Sequence, residues 1–420
     1  MSIAEEHEAP ANARPAASRF EAFARVCIVA WGPVMASILT VPLLPALPLM
    51  ARHFAVGAPG AGFMGLSGGL VAQLIVTIPS LVMMFSAPLV TLAAGWLGKR
   101  RILLGALVVF ALAGLGDMVL YGPLPFLASR VIVGLAGGVI YTLYLSFAAD
   151  FFAHNARRKV IGFAVFCSLV ASLLELVAGG WLVDHYGWRT PFVFHALAVP
   201  VLAIAWAGVF PSDEVRTERR STAPKIAAIA PLTPFYLLLL VFAVGMFTLS
   251  LQGPFLLTSK GVTRATEQGF ILAGWSLTAA LSAICFARLR QLVSDAALVA
   301  AIGLVMGTGL ITAAKAGSTP ILVLGMLVVG LGKGFVAPTL ESMIMNRAQL
   351  QVRVMAAGLV VSAMFLGQFL TPIICNALGR SGGIEDAVES IGAIVGVAGV
   401  AAAIILAARR LNVRTLLRRS

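Results

Sequence analysis

The sequence predicts an all-α integral membrane protein whose twelve transmembrane helices form two parallel-related six-helix bundles. Three observations carry the prediction. Of 420 residues, 60% are hydrophobic and 11% charged, with a mean hydropathy of +0.98; an ordinary soluble domain has roughly 25% charged residues. Apolar runs recur along the chain at about the 20 residues a helix needs to cross a bilayer. There is also an internal echo: Val133-Gly134-Leu135 returns 196 positions later as Val329-Gly330-Leu331, Gly138 as Gly334, Arg157 as Arg353, Gly162 as Gly358 and Leu182 as Leu378. One constant offset through a helix–elbow–helix unit marks a parallel duplication.

The elements follow in order. Residues 1–25 are a polar tail with Glu5, Glu6, Glu8, Arg14 and Arg19. The apolar run after it is too long for a signal-peptide core and is read as the first span, 26–50. Pro33, Pro42, Pro45 and Pro48 should bend that span. The second span, 69–97, stops at the basic loop Gly98-Lys99-Arg100-Arg101. The third, 102–120, ends near Asp117, and the fourth, 124–149, holds Arg130. The elbow Arg157-Arg158-Lys159 leads into the fifth, 160–183, and 190–210 is the sixth. These six make an N-terminal bundle, 26–210. Residues 211–233 are a polar linker that holds Asp213, Glu214 and Glu218 with four basic residues. The C-terminal bundle, 234–408, has spans at 234–257, 269–287, 295–314, 321–345, 354–378 and 388–408. In the seventh span Gln252, Gly253 and Pro254 should bend the helix at the depth matching the prolines of the first. A basic tail, 409–420, follows.

Charge sets the orientation. With both termini inside, 22 of the 30 Lys and Arg face the cytoplasm, and six (Arg52, Arg189, Lys260, Arg264, Lys315, Arg380) face outward. The asymmetry is that of a multi-pass protein of a bacterial inner membrane with N and C termini cytoplasmic. The net charge of +13 is spread in twos and threes over these loops, so nucleic acid is not an expected partner. Cys27, Cys167, Cys285 and Cys375 all sit in apolar runs, and neither a disulfide nor a metal site is expected.

Twelve spans as six plus six resemble the major facilitator superfamily, and local motifs agree. That family carries G-x-x-x-D-x-x-G-R/K-R/K after the second span. Here Gly98, Lys99, Arg100 and Arg101 match its end, while Thr91 and Gly95 stand at its leading glycine and its acid. In the family the acid pins the loop in the outward-facing state. The fourth-span pattern R-x-x-x-G-x-x-x-G is met by Arg130, Gly134 and Gly138. Gly179-Gly180-Trp181, Gly187-Trp188-Arg189, Pro191 and Phe192 are similar to the family's connection between fifth and sixth spans. Antiporter members often carry Gly-Pro four residues before the glycine pair, where this chain has Glu175-Leu176. In the second half the loop Ala287 to Leu292 is more eroded.

Ionisable groups inside a bilayer cost about 2.5–3.5 kcal/mol on insertion scales. Arg130 and Glu175 are expected at overlapping depths, about 9 and 12 Å from the outer end of their helices. They read either as a structural ion pair or as a proton site. Asp117 is the rival partner of Arg130, and its plainer reading is an exposed charge at a helix end. Together Glu175, Arg130 and Asp117 are the proton-coupling candidates. Lys333 takes the repeat position of Gly137 at mid-span, which requires a wet cavity or a carboxylate such as Glu341. With Gln73, Tyr141, Tyr144, Gln252, Trp275 and Gln368 it forms the set of substrate-cavity candidates. Each member of that set has packing as its plainer reading. His195 reads as a satisfied histidine at the interface. Gly134, Gly138, Gly330 and Gly334 read as helix-packing positions.

The resemblance implies a secondary transporter working by alternating access. We expect a monomer that carries a small-molecule substrate, uses the proton as coupling ion and needs no cofactor. The favoured expectation is proton-coupled efflux of a small amphipathic organic compound. The alternative is uptake of a small organic anion by symport or uniport, suggested by two buried cations. A membrane-integral enzyme or sensor is the remote alternative, because no nucleophile–base arrangement appears.

Overall fold

A computed structural model describes residues 19–55, 65–208, 228–349, 352–380 and 382–417. All the secondary structure among these residues is helical. Most of the N-terminal tail, most of the central linker and the last three residues lie outside them.

The first half contains α1 (Arg19–Ile38), a 3₁₀ segment (Val41–Ala46), α2 (Leu47–Ala55), α3 (Gly68–Met83), α4 (Ser86–Leu97), α5 (Lys99–Gly116), α6 (Pro123–Phe151), α7 (His154–Tyr186), a second 3₁₀ segment (Thr190–Leu197) and α8 (Ala198–Gly208). The second half contains α9 (Thr233–Ser259), α10 (Ala265–Leu292), α11 (Asp295–Ala314), α12 (Thr319–Arg347), α13 (Arg353–Leu378) and α14 (Gly383–Leu417). Among the described residues, ten helical stretches are long and apolar enough to cross a membrane. The other two expected spans fall short for local reasons. The second is interrupted at Met84-Phe85, because Pro88 has no N–H to give the carbonyl of Met84. The third, α5, opens on Lys99, Arg100 and Arg101, which belong to its helix rather than to the loop before it.

Prolines act differently in the two halves. In the first span Pro42 and Pro45 lie in the 3₁₀ segment and Pro48 in the first turn of α2, so the helix breaks. The seventh span holds Pro254 inside one unbroken helix, α9. The sixth span begins as the second 3₁₀ segment rather than as an α-helix, with Pro191 at its start.

Helix boundaries repeat the sequence echo. α5 and α11 begin at 99 and 295, and α6 and α12 run 123–151 and 319–347, so the offset of 196 holds at each boundary. Gly134 lies against the backbone of Pro79, and Gly138 against Ser86; a Cβ on either would stand 2.6 Å from the neighbouring atom. Gly330 and Gly334 meet Trp275, Thr278, Ala279 and Ser282 of α10 in the same way. Glycine at these four positions lets the fourth and tenth spans approach their neighbours at backbone distance.

The halves meet chiefly along α7 with α10 and α3 with α13, and α2 and the first 3₁₀ segment also touch α9. The core of the second half continues into the first through Phe54, Val71, Phe126 and Leu176, all at the end away from the basic loops. Toward the basic end the first half keeps a core of its own around Leu107, Phe110, Leu143 and Phe147. The molecule is therefore joined at one end and divided at the other.

Candidate functional site

The joined end is held by polar contacts. Asp184, near the end of α7, accepts from the backbone N–H groups of Ala265 (2.8 Å) and Thr266 (2.9 Å) and from the Thr266 hydroxyl. It thereby satisfies free donors at the start of α10. Gly180 and Gly269 let α7 and α10 touch through backbone, against Ala265 and Leu176 respectively. Beside the α3–α13 pair, Gln73 of α3 and Gln252 of α9 exchange amide hydrogen bonds of 3.3 and 3.0 Å. Both glutamines are buried, so this cavity pair serves as a seam between the halves. Beside them a cleft of about 150 Å³ is lined by Ser67, Gln252, Cys375 and Asn376.

At the basic end the ion pairs stay within each half. Lys99 Nζ meets Asp150 at 2.7 Å, and Arg100 donates to the carbonyl of Trp206. Gly98 adopts φ +76°, which a side chain would strain, and so lets α4 turn directly into α5. In the second half Arg347 meets Asp295 at 3.9 Å. Asp295 is the repeat equivalent of Lys99, whereas Asp150 maps onto Asn346 and its place as partner is taken by the next residue, Arg347. The loop motif thus has its acid at Asp150, on α6, and not at Gly95.

Arg130 is the largest correction to the sequence reading. Its guanidinium pairs with Asp117, the cap of α5, and both side chains are fully buried. The ring of Phe192 lies 5.0 Å from the guanidinium. Asp117 is therefore not an exposed charge, and Glu175 is not the partner of Arg130. The cap of α5 turns inward at the level where Arg130 leaves α6, a distance relation that spacing along the chain does not encode. His195 is buried against Phe110, at 4.9 Å between rings, and its Nδ1 lies 2.9 Å from the carbonyl of Phe192.

Glu175 pairs across the α1–α7 interface. Its Oε1 accepts from Ser37 Oγ at 2.9 Å, while its Oε2 has no hydrogen-bond partner among the described residues. The residue is 3% exposed. Ser37 also lies 2.8 Å from the carbonyl of Val34, so its hydroxyl has two acceptors for one proton.

The remaining candidates divide between the halves. Tyr141 and Tyr144 of α6 pack edge to face at 5.1 Å, and Phe365 of α13 lies 6.1 Å from Tyr141 across the gap between halves. Tyr144 rests on Gly32 of α1. Glu341 of α12 is exposed, and among the described residues it forms no ion pair with Lys333. Lys333 Nζ stands 3.9 Å over the ring of Trp275, and among the described residues it makes no ion pair. Gln368 is buried on α13, one turn from Phe365. The structure thus gathers tyrosines and Phe365 at the centre, glutamines at the seam, and Lys333 with Trp275 inside the second half. Ser37, Asp150, Asp184 and Phe365 were missed in the sequence, because each gains its role from a partner on another helix.

The family model described as Major Facilitator Superfamily matches residues 29–288. The Multidrug resistance protein B homolog of Mycobacterium tuberculosis is 30% identical over 125 residues, which are 29% of this chain and 23% of that protein. The Multidrug efflux pump LfrA of Mycolicibacterium smegmatis is 30% identical over 189 residues, 43% of this chain and 33% of that protein. The chain therefore spans 23% and 33% of the length of these two curated relatives. Among solved structures, a D-xylose–proton symporter superposes with a TM-score of 0.73 at 15% identity, covering 91% of this chain and 97% of that one. That likeness is one of fold.

Proposed function

Because this chain belongs to the Major Facilitator Superfamily, a family of membrane transporters rather than enzymes, we propose that it exports a small amphipathic organic compound in exchange for protons. The two halves rock about the joined end, which faces outward when both termini are placed in the cytoplasm of a bacterial inner membrane. The basic ends are then open to the cytoplasm.

The observation that carries this reading is the Ser37–Glu175 contact. An ionised Glu175 accepts from Ser37. A protonated Glu175 can donate to Ser37 Oγ, while Ser37 turns its own hydrogen to the carbonyl of Val34. Both protonation states find hydrogen bonds in one geometry, a property suited to a group that loads and unloads a proton inside the membrane. Leu176, the next residue, packs on Gly269 of α10. A change at Glu175 is thus one residue from the contact on which the halves turn. Arg130 and Asp117 neutralise each other and serve the bundle as a structural pair. The multidrug relatives support the export direction.

The test is transport in inverted membrane vesicles. An imposed proton gradient, acidic inside, should drive accumulation of a fluorescent amphipathic dye, and a proton uncoupler should abolish it. Accumulation unaffected by the uncoupler would overturn the reading.

A second reading, uptake of a small organic anion, is favoured by Lys333, whose ammonium meets an aromatic face and no carboxylate among the described residues. Counterflow of a labelled anion into proteoliposomes, without dye transport, would select it.

A further inference from the structure

Three directions can be assigned around α7. Leu176 and Gly180 face α10, and Ser168, Glu175 and Gly179 face the first span through Pro33 and Ser37 of α1 and Pro42 of the first 3₁₀ segment. At 3.6 residues per turn, Phe163, Phe166, Val170 and Leu174 occupy the side left over, away from the second half. Their exposures are 49%, 61%, 39% and 64%. In a bilayer that side meets lipid.

On this side lies a groove of about 640 Å³, walled by α7 and the sixth span and floored by α1. Its aromatic lining includes Trp31, Phe163, Phe166 and Phe194, and among the described residues no Lys or Arg lines it. Glu175 stands at its head. That carboxylate is buried, and its Oε2 is unpartnered among the described residues.

We propose that this groove is a bilayer-facing binding site for a lipophilic organic cation, with Glu175 as its counter-ion. Aromatic faces attract cations, and a desolvated carboxylate attracts a cation and repels an anion. The molecule enters sideways from the membrane, lays its apolar body along the rings and brings its charge to Oε2. The proposal names the substrate class of the export reading above and rests on that reading. It also differs from a central site, because every lining residue belongs to the first half.

Cys27 and Cys167 line the same groove, whereas Cys285 is exposed on α10. Purified protein in nanodiscs is labelled with N-ethylmaleimide and followed by mass, with tetraphenylphosphonium as probe and tetraphenylborate as the matched anion. The cation should slow labelling at Cys27 and Cys167 and leave Cys285 unchanged, while the anion should protect none. Glu175→Gln should raise the concentration needed for protection about tenfold or more. Val170→Trp, which fills the groove and leaves the carboxylate, should remove protection altogether. Equal protection by both ions, or unchanged protection in both variants, would overturn the site. Dye export with no groove protection would overturn the site alone. Protection without proton-driven export would overturn the export reading alone.

Discussion

Ser37 and Glu175 meet at 2.9 Å across the interface of α1 and α7, and among the described residues this is the carboxylate's one hydrogen bond. The pair lies beside the helix crossing at which the halves join. Ser37 can hydrogen-bond to either protonation state of the carboxyl without moving, because it also has the carbonyl of Val34 to donate to.

Removing the titrating group should uncouple transport. Glu175→Gln keeps an acceptor for Ser37 and cannot ionise, so proton-driven transport should stop, while equilibrium exchange should continue once substrate is raised enough to offset the weaker binding. Its exchange rate should also lose its dependence on pH. Ser37→Ala should show a milder version, slowing driven transport. Vesicle assays with and without a gradient separate these outcomes. Normal driven transport by Glu175→Gln would make the residue structural.

The buried ion pair of the first half has an apolar counterpart in the second. Arg130 and Asp117 map by the repeat onto Met326 and Ala313, both buried. Breaking a buried pair leaves a lone charge and costs about 3–5 kcal/mol. Arg130→Met alone should therefore lower thermal stability in detergent sharply. Arg130→Met with Asp117→Ala should recover most of the loss, since the combination reproduces the second half's solution. A double variant less stable than either single would refute the structural role.

Asp184 holds the joined end by bonding to the free donors of α10. Loss of such a cap is worth about 1–2 kcal/mol, so Asp184→Ala should shift the balance toward the outward-open form by roughly tenfold. Spin labels on the outer ends of α7 and α10 should report a longer distance in a larger fraction of molecules. An unchanged distance distribution would place the seal elsewhere, with Gln73 and Gln252 as the next contacts to remove.

Lys333 sits over Trp275 with its charge unpaired by carboxylate among the described residues. If the anion reading holds, Lys333→Ala should weaken binding of a labelled anion about tenfold, while amphipathic dye export is retained. Unchanged affinity would remove Lys333 from the site and leave its ammonium as packing against the indole.

Much of the fold can be read in the chain, because the bilayer leaves a helix few alternatives. Spans of about 20 apolar residues follow from satisfying backbone hydrogen bonds without water. The duplication appears as a fixed offset, and the same offset recurs in the starts of α5 and α11 and in both ends of α6 and α12. Glycines at 134, 138, 330 and 334 announce close approach, since nothing larger fits against the backbone of Pro79 or Ala279. Interruptions are less legible. Several prolines sit in these spans, yet the first span breaks at a cluster of them while α9 runs through Pro254.

What the sequence alone determined, then, is the membrane, the twelve spans and the short set of charges that must be buried. The partners of those charges were decided only by tertiary structure. Arg130 is 13 residues from Asp117 and 45 from Glu175, and neither separation says which carboxylate its helix will face. That choice depends on the rotation of α6 and α7 about their own axes, set by packing over the whole bundle. Glu175 consequently turns to Ser37, Asp184 to the start of α10 and Gln73 to Gln252. Hydrophobicity is local and additive along a chain, whereas the direction in which a single side chain points is a property of every helix packed around it.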